Sequence, residues 1–423
     1  MNTNFIEELK WRGLFQDCVS DTEIQLNKES TTGYIGFDPT GSSLHLGSFQ
    51  QIMLLKRLQL AGHKPIALMG GATGRVGDPT GKTEERKLLS IDEINANIDG
   101  IKVQLSKFIE FGSGKNDAQL VNNYDWFKDF SFLDFIRDVG KHITVSYMMS
   151  KDSVQNRLET GLSFTEFTYQ LIQGYDFLHL YQKYNCKLQL GGSDQWGNIT
   201  TGVELTRRIT GDKVYAVTSP LILRADGSKF GKSADGENVW LNPKMTSPYK
   251  FYQYILQRSD AEAIDLNRRF SFKSKEEIEA LELEHSTRPV IQKALAKELT
   301  EMVHSAQDLE VAEKATDFLY GNASMEELHQ FSEEIISDLL SSLNRFEISR
   351  DKISGGISPV EFLVESKILP SNGQARQKLT ENAISVNKAK INLDTQIGIG
   401  HVFNEKYILV RQGRRNNYLV ELV

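Results

Sequence analysis

The chain has 423 residues, of which 39% are hydrophobic and 25% charged, with a net charge of -7; this is an ordinary globular composition, too long for a single core. The negative balance argues against wholesale wrapping of nucleic acid and leaves room for a local basic patch only. Cys18 and Cys186 stand far apart with no C-x-x-C partner, which argues against a disulfide framework or a cysteine zinc site and fits a reducing cytosol.

In chain order, "MNTNFIEELKWRG" has acidic residues and no apolar core, and no window approaches about 18 uninterrupted apolar residues, so neither a signal peptide nor a membrane span is expected. From Gly33 the pattern predicts a strand ("GYIGF"), a glycine-rich turn ("DPTGSSLHLGS"), a helix over about Leu46 to Ala61 closed by Gly62, and a strand ("PIALMGG"). That is a βαβ unit, with a right-handed crossover and a parallel sheet. Ligands of such sheets bind beyond the carboxyl ends of the strands, so the turn and the following "GGATGRVGDP" should face one pocket. The next residues, "GDPTGKTEER", end like a phosphate-binding P-loop. The first glycine of that motif would fall at Val76, however, and Pro79 removes a cradle N–H, so the P-loop reading fails.

"SFTEFTYQLIQGYDF" starts a helix, with Ser163 and Glu166 as a capping box. Tyr169, Gln173 and Asp176 then share one face amid Phe167, Leu171, Ile172 and Phe177, a polar track whose burial without partners would be costly. Two further strands, "CKLQLGG" and "VYAVTSPLIL", run into "SDQWGN" and "RADGSKFGKS". After about Asn242 the texture is helical. Ser247 with Pro248, and the spacings Ser274–Glu277 and Ser324–Glu327, mark helix starts. "SGGIS", Ser354 to Ser358, reads as a linker, and Ser358 with Glu361 restarts a helix. From Lys367 onward nine basic residues (Lys367, Arg376, Lys378, Lys388, Lys390, Lys406, Arg411, Arg414, Arg415) stand against four acidic ones. The tail is electrostatically a separate unit.

Three features point to phosphate chemistry. His45 lies at a helix start, where N–H groups and the helix dipole favour an anion. Thr40 sits in the preceding turn, and Lys229 and Lys232 in "KFGKS" are point charges suited to a departing polyphosphate.

With these motifs in view, the chain resembles the bacterial-type tyrosyl-tRNA synthetases, class I aminoacyl-tRNA synthetases. "YIGFDPTGSSLHLGS" is similar to the family's HIGH region and "KFGKS" to its KMSKS loop; "GGATGRVGDPTGK", "NNYDW", "YQLIQGYD" and "QLGGSDQWGN" are similar to its other blocks. The resemblance spans nearly the whole chain. It implies that Tyr34 and Asp176 bond the substrate phenol and that Asp78, Tyr169 and Gln173 hold its ammonium group, with Asp38 and Gln195 nearby. It further implies Thr40 and His45 on the ATP phosphates, Gly47 and Ser48 in the ATP site, Gly192 and Asp194 on the ribose, and Leu221 and Ile222 on the adenine through backbone. Lys82 and Arg86 would close over the pyrophosphate, alongside Lys229 and Lys232. Ser48 departs from the motif, whose last position is His, and its shorter reach puts the ribose contact at that position in question.

The resemblance implies an α/β fold: a Rossmann-like parallel-sheet catalytic domain (1-235), then an α-helical anticodon-side domain (246-325) and a small α+β RNA-binding domain (356-423). It implies two steps, activation of L-tyrosine by ATP with Mg2+ and transfer to tRNA, in a cytoplasmic homodimer without a tightly bound cofactor, a protein metal site or a membrane partner. "SNGQARQKLTENAISVNKAK" and "ILVRQGRR" resemble a small RNA-binding module shared with a ribosomal protein. The rival enzyme is a tryptophanyl-type synthetase, which should lack the Tyr34 and Asp176 pair and this tail; the rival of another class is a non-catalytic RNA-binding protein retaining the fold, hinted at only by Ser48.

Overall fold

The computed structural model describes residues 4–80, 89–157, 161–223, 227, 230–232, 236–321, 324–341, 343–413 and 416–423. They fall into two compact units, Met1–Thr246 with Gln257–Leu295, and Ser247–Leu256 with Ala296–Val423. No described helix is long and apolar enough to cross a membrane.

The first unit is built on a sheet of β1 (Asp17–Cys18), β2 (Thr32–Phe37), β3 (Lys64–Met69), β4 (Gln119–Asn122), β5 (Cys186–Gly192) and β6 (Tyr215–Ser219). Their spatial order is β1-β6-β5-β2-β3-β4. β2 to β6 pair parallel and β1 closes one edge antiparallel. β3 is buried at five successive positions, as a strand covered on both faces must be. From β2 the chain moves outward to β3 and β4, then returns to β5 on the other side. The order therefore reverses between β2 and β5, where Tyr34 and Gln189 stand in register and where a ligand crevice is expected.

The helices follow their local signals. Leu46–Leu60 ends at Ala61, and Gly62 takes a positive φ of 89° to reverse the chain. Phe164–Tyr184 opens with the Ser163–Glu166 capping box and ends at Asn185 in the left-handed region. The strand expected over "VYAVTSPLIL" stops at Ser219, because Pro220 offers no N–H to a ladder.

In the second unit, β7 (Asn344–Ile348), β8 (Ile384–Val386), β9 (Ala389–Lys390), β10 (Tyr407–Gln412) and β11 (Asn416–Leu422) form a sheet in the order β7-β11-β10-β8-β9. Side chains alternate between two cores. Val410 and Val420 join Phe362, Leu363 and Ala375, whereas Leu409 and Leu419 join Tyr249, Phe318, Leu319 and Leu340 from the helices. The "SGGIS" stretch is part of this fold and not a free linker: Ile357 exchanges backbone hydrogen bonds with Ile397, at 2.9 and 3.0 Å, and is buried. The Ser324–Glu327 box caps a 3-10 turn, Met325–Gln330.

The tail's basic residues divide by use. Lys388 donates to the Phe318 carbonyl, Asn417 Nδ2 to Leu319 O at 3.0 Å, and Arg411 to the carbonyls of Tyr320 and Gly321 at 3.3 Å. Together they satisfy the last carbonyls of helix Ala306–Tyr320, which have no partner within the helix and attract cations. Lys378 pairs with Glu381 and Lys406 with Glu421, at 2.8 and 2.7 Å. Lys367 and Arg376 are exposed, and Arg414 and Arg415 lie outside the described residues.

Candidate active site

A cleft of about 790 Å³ opens at the carboxyl ends of β2 and β5. Its closed end is made by Tyr34 from β2 and by Tyr169, Gln173 and Asp176 from one face of helix Phe164–Tyr184. Tyr34 is 1% exposed, lies edge-on to Phe177, and its hydroxyl has no hydrogen-bond partner among the described residues. Asp176, also 1% exposed, accepts from Asn123 Nδ2 at 3.0 Å and from the Trp126 indole at 2.9 Å. The second Asn123 hydrogen goes to Thr73 Oγ1 at 3.1 Å, and Thr73 donates to Asp38 Oδ1 at 2.7 Å. The other oxygen of Asp38 accepts from the Tyr169 hydroxyl at 2.8 Å. One continuous network thus runs from Asp176 to Tyr169. Gly70 is required beside it, since a Cβ there would lie 2.1 Å from Asp38 Oδ1.

The electrostatics follow from burial. Desolvation pushes the Asp176 carboxyl up to about 8, while the Asn123 and Trp126 donors pull the other way. Burial, together with Asp176, raises the Tyr34 phenol well above its ordinary value. A buried carboxyl facing an unpaired buried hydroxyl is suited to a neutral ligand group that both donates and accepts, as a phenol does. Gln189 Oε1, on the same lining, is likewise buried without a partner among the described residues. Farther along, Asp78 accepts from Gln195 Nε2 at 2.7 Å and from the Thr80 amide at 2.9 Å. With Gln173 they offer acceptors to an ammonium group.

The open end is made largely of backbone. His45 is the N-cap of helix Leu46–Leu60, edge-on to Trp240 at 5.9 Å. The Leu46 amide donates to Val239 O at 2.7 Å, and Val239 N donates to Gly231 O at 2.8 Å. Gly231 (φ 92°) packs so closely that a Cβ there would lie 2.5 Å from Gly47 N. Exposed Lys232 is thereby brought onto the same lining as Thr40, His45, Gly47 and Ser48. Gly192, Asp194, Leu221 and Ile222 also line the cleft, and Ile222 O accepts from Phe230 N at 3.2 Å. Lys82, Arg86 and Lys229 lie outside the described residues; every other residue expected to meet tyrosine or ATP lines this cleft.

The residues that pattern reading passed over are Thr73, Asn123, Trp126 and Gln189. The signal for two of them was present in "NNYDW", whose asparagine and tryptophan hold Asp176.

Comparison with known proteins agrees with this geometry. Residues 26–321 match the model of the class I tRNA synthetases (W and Y), and residues 336–420 that of the tyrosine–tRNA ligase SYY-like C-terminal domain. The chain is 52% identical to a tyrosine–tRNA ligase of Bacteroides thetaiotaomicron and 52% to one of Flavobacterium psychrophilum, covering 99% of this chain and 99% of the first relative. A C-terminally truncated mitochondrial tyrosyl-tRNA synthetase of Aspergillus nidulans superimposes with a TM-score of 0.67 at 30% identity, over 75% of this chain and 94% of that one. The chain belongs to the tyrosine–tRNA ligase family of class I tRNA synthetases.

Proposed function

We propose that the cleft activates L-tyrosine with ATP and that the activated tyrosine is passed to the 3' end of its tRNA. A tyrosine carboxylate oxygen attacks the α-phosphorus of ATP, the bond to pyrophosphate breaks, and tyrosyl-adenylate forms. A hydroxyl of the terminal ribose of tRNA then attacks the acyl carbon and AMP leaves. Neither step needs a covalent bond to the protein, so positioning and charge stabilisation carry the rate.

The observation that carries this reading is the closed end of the cleft, where the unpaired Tyr34 hydroxyl and the Asp176 carboxyl are both buried. There they receive the substrate phenol, while Asp78, Tyr169 and Gln173 hold its ammonium group beside Asp38 and Gln195. His45 and Thr40 take the phosphates, Gly47 and Ser48 flank the nucleotide, Gly192 and Asp194 take the ribose, and the Leu221 and Ile222 backbone takes the adenine. Lys232, with Lys82, Arg86 and Lys229, stabilises the departing pyrophosphate, and magnesium enters with the nucleotide. On this reading 1-235 is the catalytic part, 246-325 the anticodon-side helical part and 356-423 the RNA-binding part of a cytoplasmic enzyme. Exposed Phe132, Leu133, Ile136, Val145 and Phe164 support a homodimer, since large exposed side chains favour a second copy over water.

Tyrosine-dependent exchange of pyrophosphate into ATP tests the activity. Exchange that needs tyrosine supports it; none from the folded 423-residue chain overturns it in favour of an RNA-binding protein without catalysis.

A further inference from the structure

We propose that Gln50 is a positioning residue for nucleotide recognition, tying the start of helix Leu46–Leu60 to the backbone that receives the adenine; this rests on the placement of the adenine at Leu221 and Ile222. Gln50 is 2% exposed and is not on the cleft lining. Its Nε2 donates to Ser219 Oγ and to Pro220 O, both at 2.8 Å, and its Oε1 accepts from Arg269 Nη1 at 3.4 Å. Ser219 Oγ donates onward to Gly191 O at 3.4 Å. One amide therefore joins the ends of β5 and β6 to the helix that carries His45, Gly47 and Ser48.

The need for such a tie follows from Pro220. β6 ends at Ser219, and a proline cannot continue the ladder, so the chain leaves the parallel sheet at Pro220. Gln50 supplies a donor to the Pro220 carbonyl, one residue before Leu221. The guanidinium of Arg269, itself fixed by Asp265 at 2.8 Å, can meet only the oxygen of the amide. The NH2 group must then face Ser219 and Pro220. Removing the amide takes a donor from the buried Ser219 hydroxyl and from the half-buried Pro220 carbonyl, and the Pro220–Ile222 segment moves relative to the helix.

Gln50→Met keeps the length and burial of the side chain without its hydrogen bonds, and Gln50→Glu keeps the oxygen toward Arg269 without a donor for Pro220. In pyrophosphate exchange both are expected to raise KM for ATP about tenfold, the scale of one or two net hydrogen bonds, with KM for tyrosine within about twofold of wild type. Ser219→Ala, which leaves the Pro220 bond intact, gives a smaller rise in the same direction and serves if the Gln50 variants melt far below wild type. A purely structural role would raise both KM values or lower only the melting temperature, and either result overturns the proposal. Photolabelling of the wild-type chain with 8-azido-ATP separates the two layers. Label absent from the peptide spanning 219–223 overturns the adenine placement, and label present there with unchanged KM for ATP in Gln50→Met overturns the role of Gln50 alone.

Discussion

The two ends of the cleft are built on opposite principles. At the closed end side chains do the recognition: Asp176, Asn123, Thr73, Asp38 and Tyr169 are linked in one network, and the Tyr34 hydroxyl stands by it unpaired among the described residues. At the open end glycines, helix N-terminal backbone and an exposed lysine line the wall. A small neutral group that must be distinguished from its absence needs rigid, desolvated partners, because a hydrogen bond left unmade there costs far more than in water. A polyphosphate that acquires charge as it leaves needs donors and cations where that charge develops.

The contrast can be broken by substitution at either end. Asp176→Ala is expected to have the largest effect, lowering kcat/KM for tyrosine by about three orders of magnitude, because Asn123, Trp126 and the substrate hydroxyl all lose their buried acceptor. Phenylalanine, which brings no hydroxyl, loses far less, and equal losses for both substrates would mean that the network does not read the phenol. At the other end, Lys232→Ala should slow adenylate formation in single turnover by on the order of tenfold to a hundredfold while tyrosine binding by calorimetry is unchanged. A matched loss of binding would place Lys232 in ground-state recognition and blur the contrast.

In the second unit, reversing the charge of Lys367 and Arg376 should raise KM for tRNA a few-fold, about one phosphate contact each, and leave pyrophosphate exchange untouched. Lys388→Ala should lower the melting temperature, since that amine caps a helix. If Lys388→Ala instead weakens tRNA binding without affecting melting, its assignment as a structural residue is wrong. A separate expected effect is a slope of stability with pH. Burial pushes Asp176 up to about 8 from 3.8, so the folded chain retains a proton that the unfolded chain has released. Its contribution to stability is complete below the unfolded value and is lost as pH rises through about 8. In urea titrations the stability of wild type relative to Asp176→Asn should fall between pH 5 and pH 8, by less than about 1.4 kcal/mol per unit. A constant gap would show that the carboxyl is already ionised.

Much of this was legible in the residues themselves. Helical spacing put Tyr169, Gln173 and Asp176 on one face, and they line the cleft together; the capping boxes at Ser163, Ser274 and Ser358 all form. What could not be read locally is what long-range folding creates. Asn123 meets Thr73 and Asp176 across about fifty positions of chain in each direction; the pairing of β3 with β4 sets Asn123 beside Thr73, and the packing of helix Phe164–Tyr184 brings Asp176 to it. The tail's charge was legible, but its division was not. The carbonyls that occupy Lys388 and Arg411 belong to a helix end that exists as an acceptor only once the chain has folded.

The most direct test of the account is Tyr34→Phe, assayed in pyrophosphate exchange with tyrosine and with phenylalanine. The lost hydroxyl has no hydrogen-bond partner among the described residues, so stability should be unchanged or slightly raised. The rate with tyrosine should fall about tenfold, the scale of one hydrogen bond to a neutral group, and the rate with phenylalanine should not fall. An equal loss with both substrates would contradict the claim that this hydroxyl waits, buried and unpaired, for the phenol of the substrate.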